Sequence, residues 1–340
     1  MRILEESLTA SLVNEGMALA AAREAFLAAR SGIVNPVVQG PGTVEGSRFT
    51  LKSGSSDAGV GVKVGAYWPT ADSLGLARHS TTTILLHPVT GRVDAVIEGA
   101  TANGYRTAAA DALAVQTFAR RDSRVLTVIG AGHQARYEVQ AVLALGRSGV
   151  EGAGIGDSEV DGPVIERVNV LARDAQKAAD FAAGIAQDFG VEVSSAALTD
   201  TEASREAVAA ADVLVTATNA KGALFDAAWV QPGTHISAMG ADGSGKQELP
   251  TELYDPATYD RAEVRMFVDL VDQSRAIGEF SNAPEGASAV EGLVALGDVL
   301  AGEATGRTSA EEITVFDSSG FALQDLSMAK ALLAAADAQG

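Results

Sequence analysis

The sequence predicts an α/β protein in which a doubly wound parallel sheet is joined to a second α+β domain built on a mixed sheet. Three observations predict this fold class. The apolar run Val125 to Ile129 leads through a glycine-rich turn directly into a helical stretch. Beyond residue 166, β-branched runs alternate with helical stretches, which predicts parallel strands with helices on both faces. Between residues 48 and 99, β-branched stretches are separated only by turns, which favours an antiparallel or mixed sheet.

The mixed-sheet domain is predicted to occupy residues 1–118. It begins with a helix, "EGMALAAAREAFLAAR", that Asn14 can cap at its start and Gly32 can end. Its strands are predicted in "RFTLKSG", "VGVKVGAYWP" and "STTTILLHPVTGRVDAVIEG", where "HPVTGR" forms a turn between two strands. From Tyr105 a helix of small residues, "YRTAAADALAVQTFAR", is predicted to connect this domain to the next one.

The parallel-sheet domain is predicted over residues 119–311. After the glycine turn and its helix, residues 148–166 are rich in glycine and acidic residues, and we expect them to form a solvated loop insertion. The last segment, residues 312–340, is predicted to return to the first domain. The alternating elements, in order, are "RVNVLAR", "DAQKAADFAAGIAQDFG", "VEVSSAA", "TEASREAVAAA" and "DVLVTAT", then strands in "WVQPGTHISAMGADG" and "RAEVRMFVDL", and finally a strand in "EITVFDSSG" and a helix in "FALQDLSMAKALLAAADA".

The turn after Ile129 has the spacing G-x-G-x-x-A, formed by Gly130, Gly132 and Ala135. Glycine at the first two positions lets the chain turn tightly and brings backbone N–H groups close to a ligand. Alanine at the third lets the following helix pack near the strand. Those N–H groups lie at the positive end of a helix, where they bind phosphate. With a strand before it and a helix after it, the motif predicts a Rossmann-type domain that holds the pyrophosphate of a dinucleotide.

Composition excludes several classes of function. The formal net charge of −19 argues against nucleic acid or an anionic membrane surface as a partner. The chain has no cysteine, and its four histidines are not spaced like metal ligands on one helix face, so we expect no metal site. Because no apolar run reaches the length of a membrane span and the N-terminus does not resemble a signal peptide, we expect a cytoplasmic protein.

Four separated stretches resemble one family of proteins. They are "GYRTAAADALA", "VIGAGHQARYEVQA", "MGADGSGKQEL" and "VFDSSGFALQDLSMAKAL", and their order and intervals across nearly the whole chain are similar to those of the ornithine cyclodeaminase and mu-crystallin family. The resemblance implies hydride transfer between a nicotinamide and the Cα of an amino or imino acid. It also implies a homodimer that is formed by the first domain.

Within that family, "VKVGAYWP" and "RHSTTTILLHPVTGR" look most like the imino acid reductases, including iminosuccinate reductase, and "GKQEL" is similar to the alanine dehydrogenases. We therefore expect reduction of a small imino acid, iminosuccinate-like or a ketimine, to an L-amino acid. Three alternatives remain open: an alanine dehydrogenase, an ornithine cyclodeaminase with catalytic NAD, and a crystallin-like binding protein in which turnover is incidental.

The resemblance assigns catalytic and substrate-binding roles to three residues. Arg106 matches the family's substrate arginine, and a guanidinium can hold a carboxylate through two parallel hydrogen bonds. Lys63 matches the active-site lysine, and a lysine between Val62 and Val64 should either meet a carboxylate or have its pKa lowered. Asp242 matches the catalytic aspartate, which can hold a water or pass a proton at the substrate nitrogen.

One family position departs from the pattern. Gln39 occupies the place where the family tends to carry a further arginine, and Lys52 or Arg48 would have to replace its charge. Lys52 is therefore a candidate substrate-binding residue. His79 is a candidate ligand for a second carboxylate or a polar side chain of the substrate.

Cofactor choice is expected at the end of the second strand of the parallel sheet. Aligning "VLARDAQKAADFA" with the family's strand-to-helix turn puts Ala172 at the acidic position and Arg173 beside it, which favours NADP(H). Asp174 keeps NAD(H) open if the turn shifts by two residues. The other predicted cofactor-binding residues are Thr107, Gly130, Gly132, His133, Gln134, Ala135, Met239 and Gly240.

Overall fold

The computed structural model describes residues 1–57, 59–146, 162–243, 245–255, 259, 262–284, 287 and 291–339. These residues form two compact units. The first unit consists of residues 1–109 and 321–340, and the second unit of residues 110–320. Among the described helices, none has the length and apolar character that a membrane span requires.

The described elements follow one another in this order. The strands are β1 Arg2–Leu4, β2 Ile33–Val34, β3 Val38–Pro41, β4 Arg48–Ser56, β5 Gly59–Tyr67, β6 His79–Leu86, β7 Val93–Glu98, β8 Val125–Ile129, β9 Arg167–Ala172, β10 Glu192–Ala197, β11 Val213–Thr216, β12 His235–Ala238, β13 Val264–Val268, β14 Val294–Ala295 and β15 Ile313–Asp317. The α-helices are α1 Glu6–Leu12, α2 Glu15–Ala29, α3 Ala100–Phe118, α4 His133–Leu145, α5 Ala175–Phe189, α6 Thr201–Ala209, α7 Val271–Ile277, α8 Leu296–Leu300 and α9 Ala322–Ala338.

The first unit is built on a mixed sheet in the order β1-β7-β6-β5-β4-β2, with β3 also pairing with β4. Only the β1–β7 pair is parallel. Asn14 caps α2 as predicted, since its Oδ1 accepts a hydrogen bond of 2.9 Å from the N–H of Met17. Helix α9 packs against the sheet over β4 and β5. Gly61 permits this close approach, because a Cβ there would lie 3.0 Å from Leu326 and 2.2 Å from the carbonyl oxygen of Ile84.

The second unit is built on a sheet in the order β10-β9-β8-β11-β12-β15-β13-β14, in which every pair is parallel. Strand order reverses between β8 and β11, which is the topological switch point where doubly wound folds bind dinucleotides. The central strands are buried on both faces, as strands covered by helices must be. Fully buried side chains from five of them include Val128, Leu214, Ile236, Phe267 and Val315. The predicted fold class is thus confirmed for both sheets.

The structure corrects the expectation that residues 312–340 return to the first domain as one piece. Strand β15 lies between β12 and β13 in the sheet of the second unit, and the chain joins the first unit only from Phe321. The physical reason is burial: all five residues of β15 are buried, which suits a central parallel strand. The division between units also falls within α3, between Ala109 and Ala110, rather than at the predicted boundary after residue 118.

Two smaller expectations concern the start of α3 and the loop insertion at residues 148–166. Helix α3 begins at Ala100, five positions before the predicted start at Tyr105. Most of the predicted loop insertion at residues 148–166 lies outside the described residues, and its described part, residues 162–166, has neither helix nor strand.

Candidate functional site

A cluster of buried charged side chains lies in the first unit. Lys63 Nζ donates to Asn103 Oδ1 at 2.6 Å and lies 3.0 Å from Asp325 Oδ1. Arg106 Nε lies 3.0 Å from the same Asp325 oxygen, and its Nη2 donates to Asn103 Oδ1 at 2.8 Å. The structure therefore brings together the two cations that the sequence predicted for substrate binding, around an aspartate and an asparagine that it did not.

Three elements supply these side chains. Lys63 lies on the face of β5 that is turned towards α9, and Asp325 lies in the first turn of α9. Asn103 and Arg106 are three residues apart on α3, so their side chains share one helix face. Lys63, Arg106 and Asp325 are all buried, with 5%, 8% and 5% of their surfaces exposed. Charges with so little contact with water must be paired, which explains why they converge.

The cluster perturbs the ionisation of its members. The pKa of Lys63 is lowered to about 7: burial lowers it most and the cations of Arg106 and Lys52 also lower it, while Asp325 acts in the opposite direction. Burial alone would raise the pKa of Asp325, but the cations of Arg106, Lys63 and Lys52 lower it below its usual value. Lys52 contributes because it lies directly opposite Lys63 in the β4–β5 pair, so both side chains point to one face. Three cations thus surround one carboxylate.

A small cavity opens beside this cluster. Its polar wall includes Asn103, Arg106, Asp325 and two threonine hydroxyls, Thr81 and Thr83. The rest of its wall is mainly apolar: Ile97, Gly99, Ala102, Met328, Ala329 and Leu332. A polar wall that carries the guanidinium of Arg106, with hydrocarbon on the rest, suits a small organic anion.

Two residues that were weighed for this site, His79 and Gln39, lie elsewhere in the first unit, and Thr107, which was expected to bind the cofactor, lies on α3 next to Arg106. His79 pairs with Tyr67 at the other end of β6, with ring centroids 4.8 Å apart, and lies about 13 Å along the strand from Thr83. Gln39 pairs with Thr50 on β3. Thr107 donates its hydroxyl to the carbonyl oxygen of Asn103 at 2.8 Å, within its own helix.

The glycine turn in the second unit has the predicted geometry. Gly130 has φ 133°, a conformation that favours glycine, and a Cβ there would lie 2.6 Å from the carbonyl oxygen of Ala217. Gly132 precedes α4 with φ −98°, and a Cβ there would have no atom within 4 Å. Ala135 is fully buried. The turn therefore leaves open space at the N-terminus of a 13-residue helix, where a pyrophosphate fits.

Neighbouring turns at the same edge of this sheet are fixed by Glu248. Its carboxylate accepts hydrogen bonds from the N–H and hydroxyl of Thr218, both at 2.6 Å, from the hydroxyl of Thr216 at 2.8 Å, and from the N–H of Gly240 at 2.8 Å. Burial raises the pKa of Glu248, against the effect of these donors. Glu248 therefore fixes the turns after β11 and β12 relative to each other. Ala217, in the first of these turns, donates its N–H to the carbonyl oxygen of Ile129 at 3.0 Å, next to Gly130.

Asp242 follows Gly240 in one of these turns. It lies in the second unit, its side chain is 54% exposed, and it forms an ion pair with Lys246. Lys246 also donates to the carbonyl oxygen of Gly240 at 3.2 Å and to Asn219 at 3.1 Å, so it orients the aspartate. Met239, just before this turn, is 7% exposed.

Two buried acids lie on helices α3 and α4. Asp111 on α3 and Glu138 on α4 are fully buried. Burial raises the pKa of Asp111 to about 7, while hydrogen bonds with Ser237 and Glu138 act in the opposite direction. Gln134 donates to Glu138 at 2.7 Å, while the preceding His133 is exposed and packs against Tyr137.

The turn that was expected to select the cofactor is exposed. Ala172 is the last residue of β9, and Arg173 and Asp174 follow it on the surface. Asp174 caps α5, since its Oδ1 accepts from the N–H of Lys177 at 2.8 Å. Asp174 therefore has a structural role whichever cofactor binds.

Sequence reasoning missed Asp325, Asn103 and Glu248, although each lies within or next to a motif quoted for the family. For Asp325 a signal was present: Lys63 was expected either to meet a carboxylate or to have its pKa lowered, and α9 carries an acid in its first turn. For Glu248 the signal was weaker, because an acid in a loop is usually exposed.

Together, the parallel sheet, the switch point and the open glycine turn define a Rossmann-type dinucleotide-binding protein with an additional α+β unit that carries a cluster of cations. Comparison with known sequences is more specific. The chain belongs to the ornithine cyclodeaminase/mu-crystallin family, whose sequence model matches residues 11–339.

Known relatives cover the whole chain. It is 34% identical over 349 residues to iminosuccinate reductase of Paracoccus denitrificans strain Pd 1222, covering 100% of this chain and 98% of the relative. A crystal structure of the iminosuccinate reductase of Paracoccus denitrificans with NAD+ superposes with a TM-score of 0.82 at 32% identity, covering 100% and 97% of the two chains. An archaeal alanine dehydrogenase dimer with bound NAD gives a TM-score of 0.82 at 31% identity, covering 100% and 97%.

Proposed function

We propose that this protein reduces a small imino acid to an L-amino acid. The observation that carries the proposal is the buried cluster of Lys63, Arg106 and Asp325 beside a small cavity, in a family whose relatives include iminosuccinate reductase. When bound, a reduced nicotinamide supplies the hydride. The glycine turn fits its pyrophosphate, because Gly132 leaves open space at the N-terminus of α4.

The proposed reaction adds a hydride to Cα and a proton to the nitrogen. Arg106 binds the substrate carboxylate through its guanidinium. Lys63, with a pKa of about 7, can donate that proton at neutral pH. Alanine dehydrogenation, the activity of the archaeal relative, is the same chemistry in reverse.

The charge of the cluster favours a substrate with two carboxylates. Around Asp325, Lys52 and Arg106 are positively charged, and Lys63 is positively charged in its protonated form. A substrate with one carboxylate would leave an excess positive charge, whereas a dicarboxylic imino acid such as iminosuccinate would neutralise it.

A direct test supplies 2-oxo acids with ammonia and follows the loss of NADH or NADPH absorbance. We expect turnover with oxaloacetate plus ammonia, which forms iminosuccinate, to exceed turnover with pyruvate plus ammonia. Loss of absorbance that does not need ammonia would instead indicate reduction of the keto group. Release of ammonia from ornithine with catalytic NAD+ would overturn the proposal in favour of a cyclodeaminase.

For the cofactor, we infer a preference for NADP(H) from Arg173, which follows Ala172 where an acidic residue would reject a 2′-phosphate. A charge-assisted contact of this kind contributes roughly ten- to a hundredfold in affinity. We expect NADPH to bind more tightly than NADH, and Arg173→Ala to remove the difference. Equal binding of the two cofactors by the unchanged protein would shift the assignment to NAD(H), which the solved relatives contain.

We also infer that two copies of the chain associate through the face of the first-unit sheet opposite α9. Paired residues place a row of apolar side chains on that face, and two of its members at the sheet edges are 63% and 57% exposed. Apolar area of this kind usually marks a protein interface. The row consists of Ile3, Val38, Leu51, Val62, Val64, Ile84 and Val96.

Light scattering at micromolar concentration tests the dimer. We expect a dimer from the unchanged protein and a monomer from Ile84→Asp, which adds a charge in the middle of the apolar row. Val164→Asp, at an exposed position in the second unit, is the matched control and should remain dimeric. A monomer from the unchanged protein would overturn the inference.

A further inference from the structure

Asp325 holds two cations with one oxygen. Its Oδ1 lies 3.0 Å from Lys63 Nζ and 3.0 Å from Arg106 Nε, and its side chain is 3% exposed. It belongs to the helix α9, which reaches this unit from the far end of the chain. The geometry is that of a shared counter-ion rather than of two separate ion pairs.

Two buried cations side by side need such a counter-ion. Removing one partner of a buried ion pair leaves an uncompensated charge, which is strongly unfavourable. Here the penalty is larger, since Lys63 and Arg106 repel each other and Lys52 adds a third positive charge. In the absence of a carboxylate at position 325, the two side chains would be expected to move apart or Lys63 to lose its proton.

The same contacts leave defined donors for a ligand. Of the five N–H groups of a guanidinium, Arg106 uses its Nε–H towards Asn103 Oδ1 at 3.2 Å, with Asp325 Oδ1 also 3.0 Å from Nε. It uses one Nη2–H towards Asn103 and one Nη1–H towards Gln324, at 3.5 Å. Two Nη hydrogens remain, and a pair of N–H groups is what a carboxylate binds in bidentate fashion. Lys63 uses two of its three N–H groups, on Asn103 and Asp325, and one remains.

We propose that Asp325 is a positioning residue for substrate binding: it fixes the ammonium of Lys63 and the guanidinium of Arg106 side by side, with donors left for one substrate carboxylate. This inference rests on the function proposed above. Asp325 itself touches the two cations, and it acts on the substrate through them. Its loss therefore changes the protonation of Lys63 as well as its position.

The direction of the change in protonation follows from the charges in the cluster. The carboxylate of Asp325 raises the pKa of Lys63, while burial, Arg106 and Lys52 lower it. Asp325→Asn removes the only one of these effects that favours the ammonium, so the pKa of Lys63 should fall further below about 7. An opposite charge within hydrogen-bonding distance typically shifts a pKa by about 1 to 3 units.

The test compares Asp325→Asn with Asp325→Glu, which keeps the charge. Glu24→Gln is the matched control, since Glu24 forms an exposed ion pair with Lys330, which lies on α9 as Asp325 does. Circular dichroism checks folding. For Asp325→Asn we expect KM for the imino acid to rise roughly ten- to a hundredfold with a smaller change in kcat, because two charge-assisted donors lose their orientation. Asp325→Glu should recover part of that loss, and Glu24→Gln should behave as the unchanged protein.

A second measurement needs no turnover. Nuclear magnetic resonance of lysine labelled with ¹³C at Cε, assigned with Lys63→Arg, follows the titration of Lys63 in the absence of substrate. We expect the midpoint to fall by about 1 unit or more in Asp325→Asn and to stay near the original value in Asp325→Glu.

The outcomes separate this inference from the function it rests on. Absence of imino acid turnover by the unchanged protein would overturn the proposed function, whereas the Lys63 titration would still report on Asp325. An unchanged titration midpoint and unchanged KM in Asp325→Asn would overturn the positioning role. If Asp325→Asn fails to fold, Asp325→Glu decides. A Lys63 midpoint that falls by about 1 unit or more in Asp325→Glu, although the carboxylate is kept, would also overturn the positioning role.

Discussion

The two units of this protein stabilise buried charges in opposite ways. In the first unit, the carboxylate of Asp325 is held by side-chain cations, those of Lys63 and Arg106. In the second unit, Glu248 and Glu279 are held by uncharged donors. Glu248 accepts from the N–H groups of Thr218 and Gly240 and from the hydroxyls of Thr216 and Thr218. Glu279 accepts from the N–H groups of Glu248 and Leu249 and from the hydroxyl of Tyr254. Burial raises the pKa of Glu279 to about 7, whereas that of Asp325 is lowered.

This difference determines what kind of ligand group each unit can recognise. A cluster of cations meets a ligand through charged side chains, so its affinity depends on which charges are present and how they are oriented. Carboxylates that fix backbone turns leave recognition to N–H groups and to open space, so affinity there depends on shape. On the proposed function, changes of charge should damage the first unit's site and changes of volume the second unit's site.

The largest effect is expected from Arg106→Lys. A lysine keeps the charge but cannot reproduce the planar fork that Asp325, Asn103 and Gln324 hold in place. We expect kcat/KM for the imino acid to fall on the order of 100-fold, with thermal stability close to that of the unchanged protein. Steady-state kinetics measure this. An unchanged kcat/KM would show that Arg106 does not bind the substrate. It would also contradict the view that the first unit recognises its ligand through oriented charges.

Gly132→Val tests recognition by shape. A Cβ at Gly132 meets no atom within 4 Å, so the protein should fold normally while the new side chain fills space that a pyrophosphate needs. We expect NADH and NADPH to bind about 10- to 50-fold more weakly, both to the same extent, as measured by fluorescence titration. Gly222→Val, another open position in the second unit, is the control. Gly130→Val is a poorer test, because its Cβ would collide with the carbonyl oxygen of Ala217 and disturb the turn itself.

Glu248→Gln tests whether the buried carboxylate fixes the turns. An amide has one acceptor oxygen in place of two, so donors from Thr216, Thr218 or Gly240 would be left without a partner. We expect a loss of thermal stability of about 4 °C and about tenfold weaker cofactor binding. Glu192→Gln, which removes an exposed ion pair with Arg167, should change neither. Equal effects of the two variants would show that Glu248 is dispensable.

The smallest effect concerns Asp111 and pH. Its folded pKa is raised to about 7, above the unfolded value, so the folded state binds more protons and the stabilisation is lost as pH rises towards and through 7. We expect the melting temperature to fall between pH 5 and pH 8, and Asp111→Asn, which mimics the neutral acid, to reduce that fall by roughly 2 to 4 °C. Differential scanning calorimetry at both pH values decides it: identical pH profiles would mean that Asp111 does not ionise in this range.

The sequence was most informative where the signals are local. The glycine turn, the alternation from Arg167 to Thr216 and the Asn14 cap depend on neighbouring residues, and all were predicted. The location of β15 was not predicted, because a short apolar run has the same pattern in either sheet. Only its pairing with β12 and β13 shows that it belongs to the second unit.

The same limit applies to the candidate site. Lys63 and Arg106 could be singled out from their motifs, and the need for a carboxylate near Lys63 followed from the cost of burying a charge. Which acid would satisfy it could not be predicted, because Asp325 and Lys63 meet only through the packing of α9 on β5. His79 was a candidate ligand for the substrate, but it lies about 13 Å along β6 from Thr83, which lines the cavity.

The late position of α9 in the chain has a consequence for synthesis. Chains emerge from the ribosome N-terminal end first, and domains generally fold as units in that order. Here the sheet of the first unit emerges first, yet the helix that covers it and the carboxylate that neutralises its cations arrive only after residues 110–320 have been made. The second unit can therefore fold during translation, while the sheet of the first unit is still uncovered and its lysines still lack the carboxylate of Asp325. A nascent chain halted before Phe321 should show a protease-resistant second unit and a degradable first one.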